Sequence, residues 1–156
     1  MTREDWMQMA IRMATENVLE GRGGPFAALV VKDGKMVAAG FNEVTTSHDP
    51  TAHAEVQAIR AACQMLGDFQ LTDCEIYTSC EPCPMCLGAI YWSRPKAIYY
   101  ACTKEQAAGI GFDDDFIYEQ IPLLPEDRSI PMEQVYPPES DRPFREWEAA
   151  ERKTRY

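Results

Sequence analysis

The sequence predicts an α/β fold, a three-layer α/β/α sandwich with a mixed central sheet. Three observations carry this expectation. Segments with helical spacing of apolar residues alternate with short apolar runs rich in β-branched and aromatic residues, as expected for helices laid against a sheet. An Asp33-Gly34 pair between two such runs is a strong hairpin signal. A chain of 156 residues with 46% hydrophobic content is the size of one domain, able to bury about two-thirds of its unfolded surface.

Thr2-Arg3-Glu4-Asp5 reads as a capping box, and Met7, Ala10, Ile11, Ala14 and Val18 make one helical face until the glycines and proline of residues 21–25 stop it. Strands over 26–32 and 35–40 flank the Asp33-Gly34 turn. A second helix follows the Asp49-Pro50-Thr51 start signal, carries Val56, Ile59, Cys63 and Leu66 on one face and ends at Gly67. Residues 74–79 read as a buried strand, 84–93 as a helix opening on Pro84, 97–102 as a strand and 103–108 as a short helix. More than half of the chain's 11 prolines fall in residues 122–143, so that stretch is not one regular element, although 132–136 fits an edge strand. Residues 145–155 read as a terminal helix. The whole of 1–156 is expected to be a single domain, with 122–156 a Pro-rich connection and C-terminal tail.

Charge and cysteine usage narrow the function. A net charge of −10 opposes binding to a nucleic-acid backbone, and the only basic cluster is Arg152-Lys153-Thr154-Arg155 at the tail. The first residues lack the basic-then-apolar pattern of a signal peptide, and no segment approaches the ~18 apolar residues of a membrane span, so a cytoplasmic protein is expected. Six cysteines without an export signal argue against a disulfide framework, and Cys63, Cys74 and Cys102 read as small core residues.

The chemistry lies in His53-Ala54-Glu55 and Glu81-Pro82-Cys83-Pro84-Met85-Cys86. One histidine and two cysteines fill three of the four positions of tetrahedral Zn²⁺ and leave the fourth for a water, which is a hydrolytic rather than a structural arrangement. Glu55 is then the group that moves protons, and H-x-E with P-C-x-x-C is the recognised pattern of zinc deaminases. His53 and Glu55, two residues apart, would point about 200° away from each other on a regular helix, so they converge only beyond a helix end. Zinc is therefore expected between two helix N-termini, one ion per chain. Two rivals remain open at this level: a closed structural shell that adds Cys80 to His53, Cys83 and Cys86, and a redox role for the C-x-x-C pair.

Nearly the whole chain resembles the small bacterial, Bacillus-type guanine deaminases of the cytidine-deaminase-like superfamily. The resemblance is carried by Gly24-Pro25-Phe26, residues 31–34, 45–47, 49–55 and 77–92, Gly111-Phe112-Asp113-Asp114 and the terminal Tyr156. The zinc motif marks only the superfamily; the Gly-Phe-Asp-Asp segment and the aromatic terminus narrow it to purines. The resemblance implies that His53, Cys83 and Cys86 bind zinc, that Glu55 is catalytic, and that Phe26, Asn42, Ala54, Asp114 and Tyr156 contact the purine. It implies deamination of guanine to xanthine and ammonia, with guanosine as the alternative and cytosine or tRNA adenosine further away. It also implies a homodimer in which the C-terminal segment is able to cross to the partner.

Overall fold

The computed structural model describes residues 1–156, in the order α1 (Arg3–Leu19), β1 (Ala27–Lys32), β2 (Lys35–Phe41), α2 (Val44–Ser47), α3 (Ala54–Leu66), β3 (Cys74–Cys80), α4 (Pro84–Ser93), β4 (Ala97–Cys102), α5 (Lys104–Ala108), α6 (Asp115–Gln120), a 3-10 turn (Pro125–Asp127) and α7 (Arg142–Ala149). The chain divides into two compact units, Met1–Asp114 and Asp115–Tyr156. No helix is long and apolar enough to cross a membrane.

The first unit is built on one mixed sheet in the order β2-β1-β3-β4. β1 runs antiparallel to both β2 and β3, while β3 and β4 are parallel neighbours. The β1–β2 connection is the expected tight turn, with Asp33 at φ 49° and Gly34 at φ 70°, the pair of positive angles that a type I′ hairpin requires.

Strand alternation sorts the core into two faces. Leu29, Val31 and Tyr77 point to the face covered by Trp6 and Ala10 of α1. Ala28, Val30, Cys74 and Ile76 point the other way, against Ala54, Ala58 and Ala62 of α3 and Ile90 of α4. The sandwich is thus α1, sheet, then α3 with α4. α1 opens with the capping box between Thr2 and Asp5, whose carboxylate also accepts the Thr2 backbone amide at 2.7 Å.

Several details differ from the sequence reading, each for a local reason. The buried stripe of α1 is Trp6, Ala10, Ala14 and Asn17, whereas Ile11 and Val18 are exposed. The buried stripe of α3 is Ala54, Ala58 and Ala62; Val56, Ile59 and Cys63 are half-buried and Leu66 is exposed. The close approach of α3 to the sheet selects the smallest residues, which hydrophobicity ranking overlooks. Asp49 does not cap α3. Its carboxylate accepts from the amide and hydroxyl of Thr51 at 2.8 and 2.7 Å, forming a turn, and the helix starts five residues later. Cys74 is buried as expected, but Cys102 is exposed at the end of the edge strand β4. Residues 132–136 form no strand, and the terminal helix is Arg142–Ala149, shorter and earlier than expected.

The second unit is held by polar contacts of its own. Arg128 donates through Nε to the Gln120 carbonyl and through Nη2 to the Ile121 carbonyl, both at 3.2 Å, fastening the proline-rich segment to the end of α6. Arg145 joins Glu139 at 3.0 Å and also pairs with Asp141, one helical turn back.

Gly40 is the point at which the sheet admits α3. A Cβ there would overlap the Ala54 carbonyl oxygen and the Ala58 amide nitrogen, both backbone atoms that move only if the helix moves. Gly40→Ala is therefore expected to destabilise the protein by about 1–3 kcal/mol, the usual cost of overpacking, and to weaken metal retention because α3 carries His53. Thermal unfolding together with bound-zinc measurement checks this, and an unchanged melting temperature with full zinc would contradict it.

Candidate active site

Two helix starts meet at one end of the sheet. His53 is the N-cap of α3, in extended conformation at φ −71° and ψ 153°, with no capping bond from its side chain. Cys83 is the N-cap of α4 at φ −66° and ψ 168°, and Pro84 opens that helix with Cys86 in its first turn. The extended N-cap resolves the two-residue spacing problem: His53 lies outside the helix and Glu55 inside its first turn, so both face the same place.

Cys83 Sγ and Cys86 Sγ lie 3.5 and 3.4 Å from His53 Nδ1. Tetrahedral zinc with ordinary Zn–N and Zn–S bonds sets its nitrogen and sulfur ligands about 3.5 Å apart, so these donors fit the ion. The three donor atoms all fall within 4.8 Å of one another. Cys80 is not among them. Its buried thiol donates instead to the Thr103 carbonyl at 3.7 Å, and burial pushes its pKa up to about 11, so it stays protonated. The closed four-ligand shell does not form.

Among the protein groups themselves, the hydrogen bond from Cys86 holds Cys83 down at about 4, as a thiolate, and that same shared hydrogen raises Cys86. The hydrogen bond to Cys83 likewise raises His53. A bound cation needs both thiolates and a neutral imidazole nitrogen, so it takes the place of the protons these three groups otherwise hold.

Glu55 is 7% exposed, and burial raises its carboxyl pKa, against the pull of its own backbone amide and of the Cys86 thiol. Its side-chain partner is Thr78, whose Oγ lies 3.2 Å from Glu55 Oε1 and 2.9 Å from the Cys80 carbonyl oxygen. A hydroxyl has one hydrogen and two lone pairs. Thr78 can therefore donate to an ionised Glu55, or turn its hydrogen to Cys80 and accept from a protonated one. The partner suits a carboxyl group that alternates between the two states. Sequence reasoning missed Thr78; the signal was strand alternation, which puts position 78 on the same face as Ile76.

The remaining expected residues are placed as follows. Ala54 is fully buried between His53 and Glu55. Phe26 precedes β1 and is half-buried, with its ring edge-to-face on Phe112 at 5.0 Å between centroids. Asn42 is buried at the end of β2, and its amide donates to the Phe26 carbonyl at 3.2 Å. These residues share the end of the sheet at which β3 delivers Cys80, as the Ala27–Phe41 and Ala28–Thr78 pairings require. Asp114 is half-buried between exposed Asp113 and Asp115. Tyr156 ends the second unit and is 70% exposed.

An open three-donor zinc site with a buried carboxyl beside it, at the helix starts of an α/β/α sandwich, defines a hydrolytic zinc deaminase. Residues 1–102 match the cytidine and deoxycytidylate deaminase zinc-binding region, and the chain belongs to that family. It is similar along its full length to the guanine deaminase of Bacillus subtilis, at 55% identity over 156 residues covering 100% of both chains. The X-ray structure of that enzyme superimposes with a TM-score of 0.98 over 100% of this chain and 99% of the other. The guanine deaminase of Nitrosomonas europaea gives a TM-score of 0.69 at 34% identity, over 72% of this chain and 65% of that one. The tRNA-specific adenosine deaminase of Aquifex aeolicus is 34% identical over 110 residues, 70% of this chain and 72% of the other.

Cys83→Ala and Cys86→Ala are each expected to lose the single zinc, while Cys80→Ala keeps it. Metal analysis of the purified variants decides, and loss of zinc from Cys80→Ala would overturn the three-donor assignment.

Proposed function

We propose that the protein hydrolyses free guanine to xanthine and ammonia. The observation that carries this reading is the extent of the likeness. The resemblance to a tRNA deaminase covers 70% of the chain, whereas the resemblance to a guanine deaminase runs through residues 115–156 as well. A net charge of −10 agrees with a small neutral substrate in place of a polyanion.

His53, Cys83 and Cys86 would hold the zinc, which when bound would supply a water acidic enough for hydrolysis near neutral pH. Glu55 would accept a proton from the attacking water and return it to the ring nitrogen beside C2, then carry the second water proton to the departing amine, which leaves as ammonia. Water is consumed, the C2–N bond breaks, and ammonia leaves. Burial helps here, because a carboxyl with a raised pKa is a better proton carrier near neutrality than an exposed one. Thr78 keeps the Glu55 oxygen in place in both protonation states.

Phe26, itself braced by Phe112, offers a flat apolar surface to the purine. Asn42 and Ala54 line its edge, Asp114 accepts from purine N–H groups that adenine and cytosine do not present in the same pattern, and Tyr156 closes the site. We read 1–156 as one deaminase domain working in the cytoplasm as a homodimer, with the C-terminal segment crossing to the partner's pocket. Exposed apolar side chains in that segment, among them Ile130, Val135 and Phe144, support a partner surface.

Glu55→Gln is expected to keep zinc and fold while losing about 10²–10⁴-fold in kcat, the usual contribution of a general acid/base. Near-normal turnover would point to another proton carrier.

Ammonia release measured over guanine, guanosine, adenine, cytosine and cytidine is expected to favour guanine. Adenine or cytosine as best substrate would refute the reading. Removal of residues 150–156 should depress guanine turnover with zinc intact, and recovery in mixed dimers would place the cap across subunits.

A further inference from the structure

Asn17 is the one polar residue in the buried stripe of α1, at the spacing where Trp6, Ala10 and Ala14 are apolar. It is fully buried. Its Nδ2 donates to the Gly24 carbonyl at 2.8 Å and to the Asn42 carbonyl at 2.9 Å, so both of its hydrogens are used. Its Oδ1 has no hydrogen-bond partner. Burying an amide with an unpaired oxygen is costly, and what it secures is the pair of carbonyl bonds, which an apolar side chain in this place could not make.

What Asn17 holds together is the immediate frame of Asn42. The Gly24 and Val44 amides each donate to Asn42 Oδ1 at 3.3 Å. Phe26 donates to the Gly24 carbonyl at 2.9 Å and accepts from Asn42 at 3.2 Å. At Gly23 a Cβ would collide with the Asn42 carbonyl oxygen, so the loop passes over Asn42 backbone to backbone. With its oxygen taken by two main-chain donors, the Asn42 carboxamide has a fixed orientation, and Nδ2 is the atom of that group left for a ligand.

We propose that Asn17 is a positioning residue for substrate recognition: through the Gly24 and Asn42 carbonyls it locks Asn42 so that the site presents a hydrogen-bond donor, and selects a heterocycle with an acceptor there. The inference rests on the reading above that Asn42 contacts the purine.

The test is a double-mutant cycle on guanine kinetics with the zinc-loaded enzyme, using Asn17→Asp, Asn42→Ala and the double variant. Asn17→Asp keeps the size of the side chain and removes its paired donors. It is expected to raise KM about tenfold while kcat and zinc content stay near wild type, the signature of lost uniform binding. In the Asn42→Ala background the same substitution should change KM by less than about twofold, because residues acting through one another are not additive. If Asn17→Asp does not accumulate as folded protein, Asn17→Ala is read by the same cycle. An unchanged KM in the Asn17 variant, or an equal rise with and without Asn42, overturns the proposal and leaves Asn42 as a substrate contact. An unchanged KM in Asn42→Ala alone removes Asn42 from the site, and the proposal falls with it.

Discussion

At Gly40 the backbone of α3 lies directly on β2, with no side chain between them, and the geometry of the site follows from that contact. A helix packed at ordinary distance would keep its first turn away from the sheet end. Here the alanine stripe of α3 lets the helix sit low, and its N-cap His53 and first-turn Glu55 come level with the end of β3. β3 in turn ends at Cys80, three residues before Cys83 opens α4. Two helix starts therefore meet over one sheet edge. That meeting sets two sulfurs at the distance from one nitrogen that ligands of a single tetrahedral zinc keep, without a strained backbone.

The same packing explains the electrostatics. A carboxyl buried against the sheet is costly when ionised, and Glu55 carries that cost as a raised pKa. The cost is tolerable because Thr78 and neighbouring site groups provide hydrogen bonds on whichever side the proton lies. Cys80, only three residues from Cys83, has the opposite fate. Its side chain is committed to the Thr103 carbonyl and stays a thiol. Two cysteines of similar sequence context thus differ in chemistry because one ends a strand and the other begins a helix.

The loops at the site end of the sheet are framed by its strands. The segment with Phe26 enters β1, Asn42 leaves β2, and both are tied to α1 through one buried asparagine. The layer of the sandwich opposite the zinc donors is therefore also part of the site's support. The second unit lies beyond the matched deaminase region and is where the full-length guanine deaminase relative continues to agree with this chain. Its ordering through Arg128 and Arg145 gives the proline-rich stretch a defined course without regular strand structure.

Local chemistry legible in the sequence included the capping box of α1, the Asp33-Gly34 turn, Pro84 at a helix start, and the ligand types of the two zinc motifs. These depend on residues adjacent in the chain, so periodicity and turn preferences suffice to find them. Position along the chain only partly revealed which side of each helix is buried. Periodicity places Ala10 and Ala14 of α1 correctly, but hydrophobicity also favours Ile11, Val18 and Leu66, which are exposed, and passes over Ala54, Ala58 and Ala62, because helix–sheet distance is a property of the assembled layers. Tertiary structure alone decided that Cys80 stands outside the metal cluster, that Thr78 reaches Glu55, and that Asn17 holds Asn42 across 25 residues of sequence. Each of these relations joins separate elements through space, and a buried hydrogen bond leaves no periodic trace in the segments it connects.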